Sequence, residues 1–231
     1  VQSIPSIQNS SFYNNYAESE SGEAKGGAIY SETDITISAD NGESIFSGNK
    51  VINNGVEESN AIYMEAGQYD TRIKDNDLGE WINTVHDISL TLDARNNGLI
   101  YFDDKIDGSS ATTERYYTKI NPETHKSEKI WLEKKENDRY NVELTGDGTG
   151  KIVLNNDVLN ADLRMNEGAN VYLGREDVWD SDNVTLNGGS LFLLNNKAGT
   201  ANFDTLSISA DTDLMVDVDL ANSTMDRISA D

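Results

Sequence analysis

A few short sequence motifs recur along this chain, and they limit the folds that the chain can adopt. The stretch Ile35–Asn41 (ITISADN) returns as Leu90–Asn96 (LTLDARN), and Met165–Gly168 (MNEG) returns as Leu186–Gly189 (LNGG). Repetition at a short period, as between MNEG and LNGG, is typical of a stack of similar coils and not of one closed globule. Functional residues are therefore expected on the long surface of the stack and in segments that interrupt the repeat.

The strand pattern predicts an all-β protein. Short alternating apolar runs such as Ile88–Leu92, Ile152–Leu154 and Val184–Leu186 are separated by Asn, Asp and Gly clusters, which tolerate positive φ and mark turns. We expect a right-handed parallel β-helix with inward Ile, Leu and Val stacked on like residues and with Asn amides laddered at the corners. At roughly 20 to 25 residues per coil, it would have about eight to ten coils. An antiparallel β-sandwich is the alternative.

Two segments interrupt the repeat and set the predicted domain boundaries. Residues 67–87 are polar, carry Trp81 and show no clear strand, so we expect a loop or short helix there. Residues 107–140 predict a protruding, hairpin-like excursion with a turn near Asn121-Pro122-Glu123-Thr124. The organisation follows as N-terminal coils over 1–108 with the loop at 67–87, the excursion over 109–140, and C-terminal stem coils over 141–231.

The excursion is the best candidate for contact with a partner. Its aromatic residues lie among seven of the chain's 18 Lys and Arg, and aromatic rings beside cations suit sugar faces or protein partners. The alternative is that the rings pack the excursion onto the stem. The candidate contact residues are Tyr116, Tyr117, Trp131 and Tyr140.

Composition excludes several classes of function. The formal net charge of -23 repels phosphate backbones, so nucleic acid is not an expected partner. No apolar run approaches the roughly 20 residues that cross a bilayer as a helix. Cysteine is absent, so neither disulfides nor thiolate sites are available.

The sequence predicts no catalytic and no metal-binding residues. His86 and His125 are expected to be exposed, and Gly146–Lys151 (GDGTGK) lacks the first Gly and the Ser/Thr of a phosphate loop, which favours a coil corner. Three acidic pairs are candidates for glycosidase carboxylates but are common in a chain with 41 acidic residues: Asp103/Asp104, Asp75/Asp77 and Asp180/Asp182. No cofactor is predicted beyond adventitious calcium, since Asp75–Glu80 lacks the spacing of an EF-hand.

Three groups of residues carry a resemblance to a known family. Gly26-Gly27-Ala28-Ile29, with the Phe-x-x-Asn pairs Phe12/Asn15 and Phe46/Asn49, resembles the paired motifs of polymorphic outer-membrane proteins and related type V autotransporter passengers. Leu90–Gly108 looks like a passenger coil, and Asn183–Leu193 looks like the generic repeat of autotransporter stems. The resemblance implies a right-handed β-helix exported through the outer membrane by a C-terminal barrel that lies outside this sequence.

The functional expectation is a non-catalytic surface segment. It would serve as a stalk or adhesin at the bacterial cell surface, with a virulence role in adhesion, aggregation or contact with a host. Its partners would be a host or bacterial surface protein or glycan, with self-association also possible. A secreted β-helix enzyme acting on polysaccharide and an acidic self-assembling matrix protein are the alternatives. Because the sequence opens at Val1 and stops in a repeat-like stretch at Asp231, we expect it to be part of a longer protein.

Overall fold

Strands and turns make up nearly all of the structure. The computed structural model describes residues 4–67, 70–179 and 182–230. These residues form no α-helix and a single short 3-10 helix, at Glu176–Trp179. The strands of the first half are β1 (Ser6–Gln8), β2 (Phe12–Tyr13), β3 (Tyr16–Ser19), β4 (Ile29–Ser31), β5 (Ile35–Asp40), β6 (Glu43–Ser47), β7 (Lys50–Asn53), β8 (Val56–Ser59), β9 (Ile62–Met64), β10 (Asp70–Lys74), β11 (Trp81–Val85), β12 (Ser89–Arg95), β13 (Leu99–Phe102) and β14 (Ile106–Gly108). The strands of the second half are β15 (Ser110–Ile120), β16 (Ser127–Gly146), β17 (Lys151–Leu154), β18 (Ala161–Asn166), β19 (Asn170–Leu173), β20 (Asn183–Asn187), β21 (Ser190–Leu193), β22 (Thr200–Phe203), β23 (Thr205–Ala210), β24 (Asp213–Val216), β25 (Val218–Asp219), β26 (Thr224–Met225) and β27 (Arg227–Ala230).

Two long parallel sheets form the body of the protein. The first long sheet contains β1, β5, β12, β16, β18, β20 and β23, and the second contains β2, β6, β13, β17, β19, β21 and β24. Each strand of the first long sheet is followed along the chain by a strand of the second. The predicted all-β class is confirmed. The long parallel sheets are compatible with a parallel β-helix, and their parallel pairing contradicts the antiparallel sandwich.

The recurring sequence motifs lie directly beside one another in the sheets. Leu90 pairs with Ile35 and Arg95 with Asp40, so Ile35–Asn41 and its copy Leu90–Asn96 are in register. Met165 pairs with Leu186 and Asn166 with Asn187, as the short-period repeat predicts. Equivalent positions therefore meet across neighbouring strands, which is the arrangement that like-on-like stacking requires.

The prediction of eight to ten coils is wrong for the described residues, because each long sheet has seven strands. Val142, Leu163, Val184 and Leu206 pair in succession and follow one another at nearly equal intervals along the chain. Earlier in the chain the interval is longer, as between the paired residues Ile7 and Ile37 and, most of all, between Ile35 and Leu90. The added residues form strands outside the two long sheets instead of further coils.

The core consists of columns of inward side chains. One column of the first long sheet runs through Ile37, Leu92, Leu144, Met165 and Leu186, all at most 1% exposed. In the second long sheet Phe46 stacks between Phe12 and Phe102, with ring centroids 4.8 and 4.3 Å apart. Burial of this kind contributes roughly 1.5 to 3 kcal/mol for each large apolar side chain.

Asparagine side chains bridge neighbouring strands at the corners, as predicted. Asn9 accepts a hydrogen bond from the backbone N–H of Asp40 and donates to its carbonyl, at 2.9 and 3.0 Å. Asn96 donates to the Asp40 carboxylate at 2.7 Å. Asn9, Asn41 and Asn96 all have positive φ, near 50°, a conformation that asparagine tolerates better than most residues. The corner residues therefore supply both the turn and the link to the next strand.

An antiparallel sheet is joined to the body through β16. It consists of β10, β11, β15 and residues 127–139 of β16, paired in that order. The predicted hairpin between residues 109 and 140 is present, with its turn over residues 121–126. Residues 140–146 of the same strand belong to the first long sheet, where they pair with β12 and β18.

The prediction of a loop or short helix at residues 67–87 is wrong. Strands β10 and β11 form an antiparallel pair there, and β11 pairs with β15. Residues 68–69 lie outside the described ranges. The pattern was weak because β10 has a single large apolar residue, Ile73, which is 68% exposed. Backbone pairing of β10 with β11, and of β11 with β15, determines this structure, and Ile82 of β11, 4% exposed, is its one buried apolar side chain among the described residues 70–85.

Ile152→Asp tests the inward assignment of the core columns. Ile152 is fully buried between Ile100 and Val171, so the variant places an unpaired charge in the core. We expect the free energy of unfolding to fall by at least ~4 kcal/mol in urea titrations. Val153→Asp, on the outward face of the same strand, is the matched control and should cost much less. Equal losses in the two variants would contradict the assignment.

Candidate contact surface

The four predicted contact residues occupy three different environments. Tyr116 and Trp131 are cross-strand partners on one face of the antiparallel sheet, and Trp131 is 52% exposed. Tyr117 pairs with Ile130 on the opposite face and is half-buried. Tyr140 is fully buried in the body and donates a hydrogen bond to the Leu159 carbonyl at 3.0 Å.

The prediction that Tyr140 contacts a partner is therefore wrong, and the packing alternative holds for this residue. Tyr140 alternates with Val142 and Leu144, which are also fully buried, so its side chain points into the core. Gly108 makes room for the ring, because a Cβ there would lie 2.4 Å from ring atoms of Tyr140. The inward alternation of Tyr140-Asn-Val-Glu-Leu144 was the signal that could have shown this.

Strand β11 adds Trp81 to the face that carries Tyr116 and Trp131. Asn83 pairs with Tyr116, and Trp81 lies two residues from Asn83, hence on the same face. Arg72 pairs with Asn83, and Lys74 pairs with Trp81. We call the set of Arg72, Lys74, Trp81, Glu114, Tyr116, Lys129, Trp131 and Lys134 the aromatic–basic face.

Cations on this face are held against rings and carboxylates. The ammonium of Lys129 lies 4.0 Å from the ring centroid of Tyr116 and 2.8 Å from Oε2 of Glu114. The guanidinium of Arg72 lies 5.2 Å from the Trp81 ring. Hydrogen bonding from Lys129 lowers the pKa of Glu114, and Trp131 contributes to the same effect. The aromatic–basic face therefore keeps its charges near neutral pH.

The local charge differs from that of the whole chain. Residues 110–137 carry six Lys and Arg against five Glu, whereas the chain has a formal net charge of -23. Trp81, Ile120 and Trp131 are each about half exposed or more. An exposed apolar surface with a neutral to basic charge balance is thus set on a strongly acidic protein, a combination that favours contact with a partner.

The antiparallel sheet is fixed to the body by charged side chains at its base. Asp138, only 6% exposed, forms an ion pair with Lys135 and accepts a hydrogen bond from Thr113 at 2.7 Å. Arg139 bridges to Asp204 at 2.7 Å. Asn137 has a φ of 57°, and the pairing register shifts beside it, as in a β-bulge that bends a strand. One continuous strand thus links the aromatic–basic face to the core.

The Phe-x-x-Asn residues form a buried polar network. Asn49, 1% exposed, donates from its side-chain amide to Oδ2 of Asp104 at 2.7 Å, and its Oδ1 accepts from the Asn15 amide at 2.8 Å. Asp104 also accepts the backbone N–H groups of Gly48 and Asn49, both at 2.9 Å. This network joins the segments that follow β2, β6 and β13, so the motif has a structural role.

The Gly-Gly-Ala-Ile motif also lies at a close approach between strands. Gly26 has a φ of 62°, and a Cβ on Gly27 would lie 2.4 Å from the Lys50 carbonyl oxygen. Ala28 donates to the Ala61 carbonyl at 3.0 Å, and Ile29 pairs with Ile62. Both glycines are needed by the backbone, and the motif is packed against the next strand.

A buried carboxyl group lies beside the base of the antiparallel sheet. Asp182 is 1% exposed, and burial raises its pKa to about 8. Its Oδ1 accepts the Ala161 N–H at 3.1 Å and lies 3.8 Å from Arg139. Its Oδ2 has no hydrogen-bond partner among the described residues. The sequence singles out Asp182 only as a member of the acidic pair Asp180/Asp182, because its burial arises from the stacking of β16, β18 and β20.

Of the other acidic residues named in the sequence analysis, those described here form hydrogen bonds with neighbouring groups. Asp75 accepts the N–H groups of Asp77 and Leu78, both at 3.0 Å, and so closes the turn between β10 and β11. Asp103 lies 3.4 Å from Ser47 Oγ, and Asp180 lies outside the described residues. Across residues 4–67, 70–179 and 182–230, no group of three or more His, Cys, Asp or Glu side chains is arranged to hold a metal ion.

The sequence also predicts that both histidines are exposed and that residues 146–151 form a corner. His125 is exposed, whereas His86 is half-buried, so the prediction of exposure is correct only for His125. Residues 146–151 connect β16 to β17, as predicted for a corner. Asp147 accepts hydrogen bonds from the N–H groups of Asn96, at 2.8 Å, and Thr149, at 2.9 Å, and these bonds hold its pKa well below the usual range.

Comparison of the chain with family models, curated proteins and solved structures found no match. Within the described part of the chain, no helix is both long and apolar enough to span a membrane.

Asp182→Asn tests the buried carboxyl group. An acid whose pKa rises on folding is more protonated in the folded state, so its contribution to stability is present below about pH 4 and is lost as the pH rises towards about 8. Relative to the variant, the wild-type free energy of unfolding should fall by ~1.4 kcal/mol per pH unit between pH 5 and pH 7.

Urea titrations at pH 5, 6 and 7 measure this slope. Asp211→Asn removes an exposed carboxylate and is the matched control. A wild-type-to-variant difference for Asp182 that does not change with pH would contradict the raised pKa.

Proposed function

We propose that this chain is a right-handed parallel β-helix that acts without catalysis as a stalk and presents the antiparallel sheet to a partner. The observation that carries the proposal is the continuity of β16. Its residues 127–139 pair with β15 in the antiparallel sheet, and its residues 140–146 pair with β12 and β18 in the body. A contact surface built on one uninterrupted strand is held in a fixed orientation relative to its support.

The β-helix assignment rests on the order and register of the strands. Strands of the two long sheets alternate along the chain, and equivalent residues in the second half recur at a nearly constant interval. Connections between parallel strands in one sheet are almost always right-handed, which supports the proposed hand.

The contact role rests on exposure and local charge. Both faces of the antiparallel sheet carry large exposed apolar side chains, with Trp131 at 52% and Ile73 at 68%. Ile82, on the same face as Ile73, is 4% exposed, whereas Trp81 and Trp131 are both about half exposed on the other face. Exposed apolar side chains of this size suit an interaction surface. We infer a host or bacterial surface protein or glycan as the partner.

The resemblance to autotransporter passengers supports a place at the bacterial cell surface. The residues that carry the resemblance lie at strand contacts within the body: Phe46 stacks on Phe12 and Phe102, and Gly27 donates to the Asn60 carbonyl at 2.9 Å. A motif with this role recurs because each strand needs it for packing. The proposed adhesive activity is therefore assigned to the antiparallel sheet and not to the Gly-Gly-Ala-Ile and Phe-x-x-Asn residues.

Replacement of residues 114–134 by Asn-Gly tests this division of roles. Thr113 and Lys135 are cross-strand partners, so a short turn can join them. We expect the far-ultraviolet circular dichroism to remain that of a β protein and the melting temperature to change by less than about 5 °C. Beads coated with the variant should lose the adhesion to epithelial or bacterial cells that wild-type beads show.

Two outcomes would count against the proposal. Equal adhesion of the two kinds of bead would place the contact elsewhere on the protein. Loss of folding in the variant would make the antiparallel sheet an integral part of the body.

A further inference from the structure

We propose that the aromatic–basic face binds an acidic polysaccharide, that is, a chain of sugars bearing carboxylate or sulfate groups. The inference rests on the proposed contact role of the antiparallel sheet and names its ligand. The supporting observation is that aromatic rings and cations alternate on one face of four neighbouring strands.

The face is organised as rows that cross the strands. One row runs through Arg72, Asn83, Tyr116 and Trp131, which are successive pairing partners. In the next row Lys74 pairs with Trp81, and Lys129 lies on β16, two residues from Trp131. Three inter-strand spacings of about 4.8 Å give a platform about 14 Å across. A short run of sugar units can lie along such a row.

Each component of the face matches one part of an acidic sugar. Aromatic rings pack against the apolar faces of sugars, and Trp81 and Trp131 are both about half exposed. Cations pair with carboxylate or sulfate groups, and the face offers four of them around the rings: Arg72, Lys74, Lys129 and Lys134. The contacts of Lys129 with Tyr116 and Glu114 already fix the position of its ammonium group. Less side-chain entropy is then lost on binding.

Charge favours a thin polysaccharide over a second copy of this protein. Trp131 and Lys129 lie four and six residues along β16 from the base at Lys135, or roughly 13 and 20 Å at the rise of a strand. Both distances exceed the Debye length of about 8 Å at physiological ionic strength, so the acidic body is largely screened from a chain bound there. A second copy would bring a whole body of net charge -23 against the first.

Binding to immobilised polysaccharides tests the proposal. The probes are polygalacturonate for carboxylates, heparin for sulfates and dextran as the neutral control, each offered to the whole chain. We expect binding to at least one of the two polyanions, weakened by added salt, and none to dextran. Polygalacturonate alone, or heparin alone, would identify the anionic group that the face prefers.

Variants on the two faces of the same hairpin separate a specific face from general charge. Trp131→Ala and Lys129→Gln should each weaken binding at least about tenfold, as expected for removal of a buried ring or a charge pair at a contact. Ile130→Ala and Arg115→Gln alter the opposite face and should leave the affinity within about twofold. Circular dichroism of all four variants checks that the hairpin is retained.

Several results would overturn the proposal: no binding to either polyanion at low salt, equal losses from variants on both faces, or binding of dextran as strong as that of the polyanions. Self-association that Trp131→Ala abolishes, without polyanion binding, would assign the face to a second copy. The proposed contact role fails separately, since it falls only if the variant lacking residues 114–134 adheres as well as the wild type.

Discussion

The parallel register between neighbouring strands is the constraint on which the structure depends. It places like side chains on one another, so Phe46 meets Phe12 and Phe102 and Leu144 lies between Leu92 and Met165. Polar groups follow the same rule, since the Asn49 amide is satisfied only by its neighbours in the stack. A shift by one residue would reverse the inward and outward positions of a whole strand. The recurring sequence motifs follow from this requirement, because residues that stack on one another need similar side chains.

The parts of the fold that repeat were accessible from the sequence, and the parts that depend on a distant partner were not. Ile35–Asn41 and Leu90–Asn96 share residue types because they share an environment, so their pairing could be anticipated. Strand β10 has no such pattern, because its pairing with β11, and through it with β15, determines its conformation. Tyr140 shares the inward alternation of Val142, so its aromatic character alone does not indicate contact with a partner.

The candidate contact surface shows the same division. The aromatic and basic composition of residues 109–140 indicated a contact, and Tyr116 with Trp131 forms part of the aromatic–basic face. Trp81 joins them from a separate, earlier segment of the chain, which only the pairing of β11 with β15 reveals. The raised pKa of Asp182 likewise arises from burial among neighbouring strands, and no local motif encodes it.

Disulfide trapping tests the parallel register most directly, because the chain has no cysteine of its own. Asn166 and Asn187 are register partners on neighbouring parallel strands, where Cα atoms about 5 Å apart allow a disulfide. The account predicts that Asn166→Cys with Asn187→Cys forms an intramolecular disulfide on mild oxidation. Asn166→Cys with Thr185→Cys, displaced by two residues and about 8 Å apart, should not. No disulfide in the first pair, or equal formation in both, would contradict the register.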